Sequence, residues 1–440
     1  MIFQNFVVIY YQGIKKIAIY LKLGGAYMTK NYHSLQIFKY SHPKEDINLQ
    51  YKARINSPAT INTHLKINPM QRGIRQGITF NLFAMPIKEL LQLQDAIQQN
   101  SNRISNLLDK LPGIAANQLF INTLKNEIRS TNEIEDVKTT NAEVNEAIAN
   151  AQSNTKRKTR LKSFARMYLK IKDKQNLQIR NIGDIRRIYD YLLEGEIPNN
   201  KMPDGKMFRN RFARIGSEIE TVHQPKVHEL DFLPDLLDWV SFINDDSIPF
   251  LIKTFISHYY FEYVHPFNDG NGRTGRYIAC VYLGYKLDSL SAITFSSEIN
   301  KNRTKYYKAF REAGDSRNYG EMTFFVLNMM EILANGQSSL IHDLKEKQDL
   351  LNYFFKVISS STSEKLEKLI LFLYAQAFLF NDTGFGIEDR ELKQYTKDFH
   401  WTQVKQCLNK LTQNGSLTLT KKSPLTRRLS ESFLTKITEN

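Results

Sequence analysis

Along most of this chain apolar side chains recur every three or four residues, the period of helices that bury one face. Leu90, Leu91 and Leu93 mark a helix within residues 86–100, and the same spacing continues through 101–111 and 117–132. Residues 139–176 are rich in Ala, Lys and Arg, which again favours helix. In 181–194, Ile182, Ile185, Ile188, Tyr189 and Leu192 fall near helical spacing, as do Leu233, Leu236, Leu237 and Val240 in 231–244. Residues 249–264 form another strong pattern, with Pro249 where a first turn tolerates it. No long alternating run is evident, so the pattern predicts a mainly α protein. Residues 198–225 depart from it: Pro203-Asp204-Gly205 reads as a turn, and Phe208 to Gly216 as part of a short hairpin. Residues 29–75 are polar and weakly periodic, and read as a tail leading into the helices.

The character changes again from about residue 348. An apolar helix is predicted over 364–380, then two more over 388–395 and 402–412. Asn414-Gly415 stops the last, residues 416–420 alternate like a strand, and Lys421, Lys422, Arg427 and Arg428 follow in a hairpin. Helix, turn, helix, strand and basic wing together suggest a winged-helix-like domain. The expected organisation is a tail at 1–74, a helical region at 75–180, a core at 181–335 and the winged-helix-like domain at 348–440.

Length and charge add limits. With 440 residues the chain is sized for two or three domains. Sixty Lys and Arg against 45 Asp and Glu give a net charge of +15, which suits a polyanionic ligand or a generally basic background. Cys280 and Cys407 lie far apart in apolar helical patterns, as small core residues of a reducing, cytoplasmic compartment would. The nine histidines show no HExxH spacing, which excludes that zinc-protease pattern. Residues 1–27 are apolar but broken by Lys15, Lys16 and Lys22; the uncharged run of 14 residues is too short to span a bilayer. With Met28 opening a polar stretch, residues 1–27 read as an upstream start or a tail, and no membrane partner is expected.

The chemistry is concentrated in residues 265–276, His-Pro-Phe-Asn-Asp-Gly-Asn-Gly-Arg-Thr-Gly-Arg. One apolar helix ends before Pro266 and another begins after the closely spaced Gly270 and Gly272. A glycine-bearing loop at a helix N-terminus turns backbone N–H groups outward, which makes an anion site. Arg273 and Arg276 are three apart and share a helical face, so they can grip a polyphosphate at two points. Asp269 offers a hard oxygen to Mg²⁺. His265 has the pKa class needed to take a proton from a hydroxyl. Such a set suits attack of a hydroxyl on a nucleotide phosphate. The P-loop spacing GxxxxGK[ST] is absent.

This stretch matches every specified position of HPFx[DE]GNGRxxR, and so resembles the signature of the Fic family of protein AMPylation enzymes. The likeness extends over roughly residues 75–335, through His258-Tyr259-Tyr260-Phe261-Glu262, Tyr306-Tyr307 and Gly314-Asp315. The resemblance implies a Fic-type helical bundle, ATP and Mg²⁺, and a target protein with a Ser, Thr or Tyr hydroxyl, this chain included. His265 would be the base, Phe267 the loop anchor and Asp269 the metal ligand. Asn271 with the N–H groups of Gly270 and Gly272 would bind the α- and β-phosphates, Arg273 the departing pyrophosphate and Arg276 the γ-phosphate. Asn268, Thr274 and Gly275 are grouped with the same phosphate site. Arg214, Ile215 and Gly216 resemble the flap that docks the target by strand addition. Tyr306 and Tyr307 would lie on the adenine side.

The family also implies a brake, an inhibitory helix with the pattern [ST]xxxE[GN]. Thr131 and Glu135 fit it, four residues apart, while Asp136 stands where Gly or Asn is usual. Glu135 would then pair with Arg276 in place of the γ-phosphate; Glu133 matches the spacing less well. Two other readings stand beside AMP transfer. One keeps the fold but removes AMP or transfers another phosphate-bearing group; Gly272, which the kinase-like relatives lack, favours AMP transfer. The other is a DNA-binding regulator acting through Thr402, Gln403, Lys405 and the basic wing. Homodimerisation is left open.

Overall fold

A computed structural model of the chain describes residues 32–71, 74–153, 159–174, 177–216, 221–380 and 386–438. The readings of residues 1–27 fall outside these. The expected tail is corrected for its described part. It forms α1 (Leu35–Ser41), α2 (Ile47–Ile55) and the strands β1 (Ile61–Ile67), β2 (Met70–Gln71) and β3 (Ile74–Arg75). β1 pairs antiparallel with β4 (Phe80–Ala84), Ile61 opposite Ala84 and Ile67 opposite Phe80. β1 does alternate: Thr63, Leu65 and Ile67 point inward. Thr63 hides the pattern by reading as polar, yet its hydroxyl donates to the Leu82 carbonyl at 2.7 Å. A buried Arg54–Glu321 ion pair of 2.7 Å ties α2 to the core.

Next come α3 (Lys88–Asp109), α4 (Gly113–Ile134), α5 (Asn141–Gln152), α6 (Lys162–Leu169) and α7 (Ile182–Leu192). The windows 86–100 and 101–111 are one helix, because Leu90, Ile97, Ser101 and Ile104 continue a single buried stripe. Reciprocal capping boxes start α5 (Thr140 with Glu143) and α7 (Asn181 with Asp184). The expected hairpin is present as β5 (Ile215–Gly216) and β6 (Thr221–His223).

The helical core continues through α8 (Glu229–Ile243), α9 (Phe250–Val264), α10 (Asn271–Lys286), α11 (Ser289–Ala292), α12 (Phe295–Lys301) and α13 (Arg303–Ala313). α9 is buried nearly all round, including Lys253, Thr254, Ser257 and His258, and packs on α8, α10 and α14 (Thr323–Ser361). α14 is 39 residues long and crosses the boundary expected at 335–348. Gly336 does not break it; a Cβ there would lie 3.1 Å from Thr294 Oγ1, so the glycine serves close packing.

The last module comprises α15 (Lys365–Phe380), β7 (Ile387–Glu388), α16 (Trp401–Gln413), β8 (Leu417–Lys422), β9 (Leu425–Leu429) and α17 (Glu431–Thr438). Its three-stranded sheet runs β7-β9-β8. Residues 388–395 are not an α-helix. Ile387 and Glu388 pair with Arg427 and Thr426 of β9, and only a 3-10 turn, Asp389–Gln394, follows. The module has its own core, including Ile370, Leu408, Leu417 and Leu429, which Ile114 of α4 joins. Cys280 and Cys407 are free and buried. Among the described residues no helix is long and apolar enough to cross a membrane.

Candidate active site

α9 ends in the candidate loop. His265 caps it in the left-handed region (φ 53°, ψ 61°), a conformation costing a non-glycine residue about 1–2 kcal/mol. Two contacts hold that bend. Phe267 is fully buried and stacks on Tyr189 at 3.7 Å. The Asn271 amide grips the Phe267 backbone from both ends, Oδ1 accepting from its N–H at 2.9 Å and Nδ2 donating to its carbonyl at 2.7 Å. Gly270, at φ 81°, then starts α10. The first-turn N–H groups of α10 have no acceptor within the helix, the general ground on which a helix start can take an anion.

Several residues expected on phosphate hold the scaffold instead. The Asn271 side chain is engaged as described, leaving its backbone to face an anion. Thr274 Oγ1 donates back to the Gly270 carbonyl at 2.8 Å. Asn268 Nδ2 donates to Met202 O at 2.8 Å and Asp204 Oδ1 at 2.9 Å, and its Oδ1 accepts from Arg211. Gly275 faces α9, where a Cβ would overlap Glu262 Oε1. Short polar side chains bond nearby backbone readily, and in this loop they do.

Burial, reinforced by the Arg209 charge, lowers the His265 pKa to about 4. The imidazole is therefore neutral near pH 7. Arg209, itself fully buried, sits behind it. Its Nε donates to the His265 carbonyl at 2.6 Å, Nη2 to Val264 O, and Nη1 to Arg211 O and Val227 O. One guanidinium thus satisfies the C-terminal carbonyls of α9 and ties them to the hairpin segment. His223 of β6 bonds the Tyr263 carbonyl at 2.7 Å and stacks on the Tyr263 ring.

Asp269 pairs with Lys201 Nζ at 2.9 Å and Arg273 Nη2 at 3.2 Å. Burial pushes its pKa up, but these cations outweigh that and the carboxyl is depressed. Among the described residues no group of three or more His, Cys, Asp or Glu could hold a metal alone. One ionised carboxylate beside an anion site still fits Mg²⁺, whose remaining ligands are ordinarily water and phosphate oxygens.

Arg276, only 1% exposed, faces α4. Its Nη2 meets Glu135 Oε1 at 2.8 Å and the Thr131 carbonyl at 2.9 Å, and its Nε donates to Thr131 Oγ1 at 2.9 Å. Glu135 also lies against Gly272, where a Cβ would overlap its carboxylate. Asp136 takes φ 55°, which explains a preference for Gly or Asn at this position. Glu133 points elsewhere, accepting from Asn300 at 2.6 Å. One turn earlier than Thr131, buried Glu127 accepts from the N–H groups of Ser296 (2.8 Å) and Ser297 (3.3 Å) at the start of α12.

The tyrosine pair divides. Tyr306 is buried, its hydroxyl 2.8 Å from His258 Nε2, so it belongs to the core rather than to an open adenine wall. Tyr307 is 43% exposed and donates to the Ile134 carbonyl at 3.0 Å, clasping the end of α4. Arg214, Ile215 and Gly216 lie on β5 and just before it, with Ile215 opposite His223. A cavity of about 330 Å³ opens on the far side of α10, between Trp239, Lys253 and Tyr282, and reaches the loop only through Gly275. Sequence reading missed the contacts of Arg209, His223 and Lys201, because nothing in their spacing marks them.

A family model described as Fic/DOC matches residues 180–283. A probable protein adenylyltransferase of Aquifex aeolicus is 30% identical over 135 residues, covering 30% of this chain and 37% of that protein. The match therefore spans well under two thirds of the relative's length. Among solved structures, a Fic family protein from Desulfovibrio desulfuricans aligns over 76% of this chain and 96% of its own, with 19% identity and a TM-score of 0.43. A Fic domain containing signaling protein from Bacteroides thetaiotaomicron aligns over 57% and 97%, with 16% identity and a TM-score of 0.40.

Proposed function

With a Fic/DOC-family domain at residues 180–283, we propose that this chain transfers AMP from ATP to a hydroxyl of a target protein and that Glu135 restrains it. The observation that carries the reading is the neutral His265 at the mouth of an anion-binding helix start that also holds Arg273 and Arg276. The target hydroxyl gives its proton to His265 as its oxygen attacks the α-phosphorus. The bond from that phosphorus to the β-bridging oxygen breaks, and pyrophosphate leaves toward Arg273. Mg²⁺ held by Asp269 would neutralise phosphate charge. β5 offers backbone to an extended target segment beside His265.

Glu135 at 2.8 Å occupies the guanidinium that the γ-phosphate would use. ATP must displace it or bind in a different pose. The test is labelling with α-³²P-ATP and Mg²⁺. Glu135→Gly is expected to label itself more than wild type, and adding His265→Ala to cut that labelling about 10²–10⁴-fold. Equal labelling of Glu135→Gly and wild type would refute the restraint. Undiminished labelling without His265 would refute the mechanism. Transfer from γ-labelled ATP alone would assign phosphate transfer instead.

A further inference from the structure

The C-terminal module carries a surface that AMP transfer does not use. Residues 399–430 contain no Asp or Glu but six Lys or Arg. α16 buries Val404, Cys407, Leu408 and Leu411 and exposes Thr402, Lys405, Gln406, Asn409 and Gln413. Those exposed positions recur every three or four residues, so they form one polar stripe. Beside it, the tip of the β8–β9 hairpin presents Lys421 and Lys422 at the end of β8 and Ser423 in the turn, all exposed.

The helix and the turn are fixed to each other. Arg427 of β9 is buried and ion-pairs with Asp389. It also donates to Asn409 Oδ1 at 3.0 Å and Thr412 Oγ1 at 3.1 Å, both on α16. Two more of the six cations are paired with neighbouring acids, Lys410 with Glu367 and Arg428 with Glu431. At the start of α16 the Trp401 ring holds Lys405 at 5.9 Å and also Lys393 at 5.2 Å, which adds one cation to the same end.

A rigid helix with a polar outer stripe, flanked by an exposed dibasic turn, matches one chemistry. An α-helix is about 10–12 Å across, and the major groove of B-form DNA is about 12 Å wide. Gln and Asn side chains can read adenine edges there, while lysines meet phosphates. The major groove of A-form RNA is too narrow for such a helix. We propose that the C-terminal module binds duplex DNA, with α16 in the major groove and Lys421 and Lys422 on the backbone.

Fluorescence anisotropy of a labelled duplex of roughly 20 base pairs, titrated with the full chain from about 50 to 200 mM KCl, tests this. Affinity should fall steeply with salt, by about 0.9 log units per log unit of salt for each phosphate contacted. Lys421→Glu/Lys422→Glu should weaken binding at least about tenfold at low salt and lower the salt slope by about two. Both lysines are exposed, so the melting temperature should not move; Lys405→Glu gives an independent second variant. Unchanged affinity in both variants, salt-independent binding, no binding, or an RNA hairpin bound as tightly as the duplex would each overturn the assignment.

Discussion

His265 is one of several buried groups whose charge depends on the fold. Burial lowers His223 and His258 to about 3 and His265 to about 4, from 6.5. Because their folded pKa values are depressed, protonation favours the unfolded chain, and stability is lost as pH falls below 6.5. Burial raises Glu127 to about 7 and Glu262 to about 8, from 4.5; the Glu135 charge adds to the Glu262 shift. For these the unfolded chain ionises first, so stability is lost as pH rises from 4.5 toward 8. Above pH 6.5 only the two glutamates of this set still act. Melting temperature should therefore decline from pH 6.5 to 8, and Glu262→Gln should flatten that decline; an identical slope in the variant would contradict the assignment. The bend between two helices at residues 265–270 was legible because its members are contiguous. The roles of Asn268, Asn271, Thr274 and Gly275 were not, since a polar residue in a glycine-rich loop can face ligand or backbone and spacing does not say which.

At the scale of elements, two side chains hold the C-terminus of α9, His223 at the Tyr263 carbonyl and Arg209 at the two that follow. Arg209 lies 56 residues from His265, so periodicity could not connect them. Arg209→Met should leave four carbonyls without this donor. Each buried polar group left unpaired costs about 1–3 kcal/mol, so the expected loss is several kcal/mol. Chemical denaturation should report it, together with lost labelling in the Glu135→Gly background. A variant of native stability would show that the clamp is dispensable. Most helices were legible, including α4, which carries Thr131 in its last turn and Glu135 at its C-terminal cap. β1 was not, because Asn62, His64 and Lys66 alternate with an inward Thr63 that reads as polar. Nor was the continuity of α14, since Gly336 within it looks like a boundary until Thr294 is seen against it.

Across the whole molecule α4 is a member that touches both the C-terminal module and the candidate site. Its first turn contributes Ile114 to the core of the C-terminal module, and Asn122 donates to the Phe380 carbonyl at the end of α15. Its middle is fixed to α12 through Glu127, and its last turn holds Arg276. The sequence pattern places these contacts in three separate regions, and only the fold shows that one helix spans them.

Such a helix makes the two ends thermodynamically answerable to each other. Suppose a duplex on the C-terminal module shifts α4 and changes ATP affinity by some factor. ATP must then change duplex affinity by the same factor, whatever path the strain takes. Titrating each ligand in the presence of the other measures that factor twice. We expect it to be about 5–150, the range typical of coupled sites. A value of one in both directions would make α4 a strut, and the two ends of the protein independent tenants of one chain.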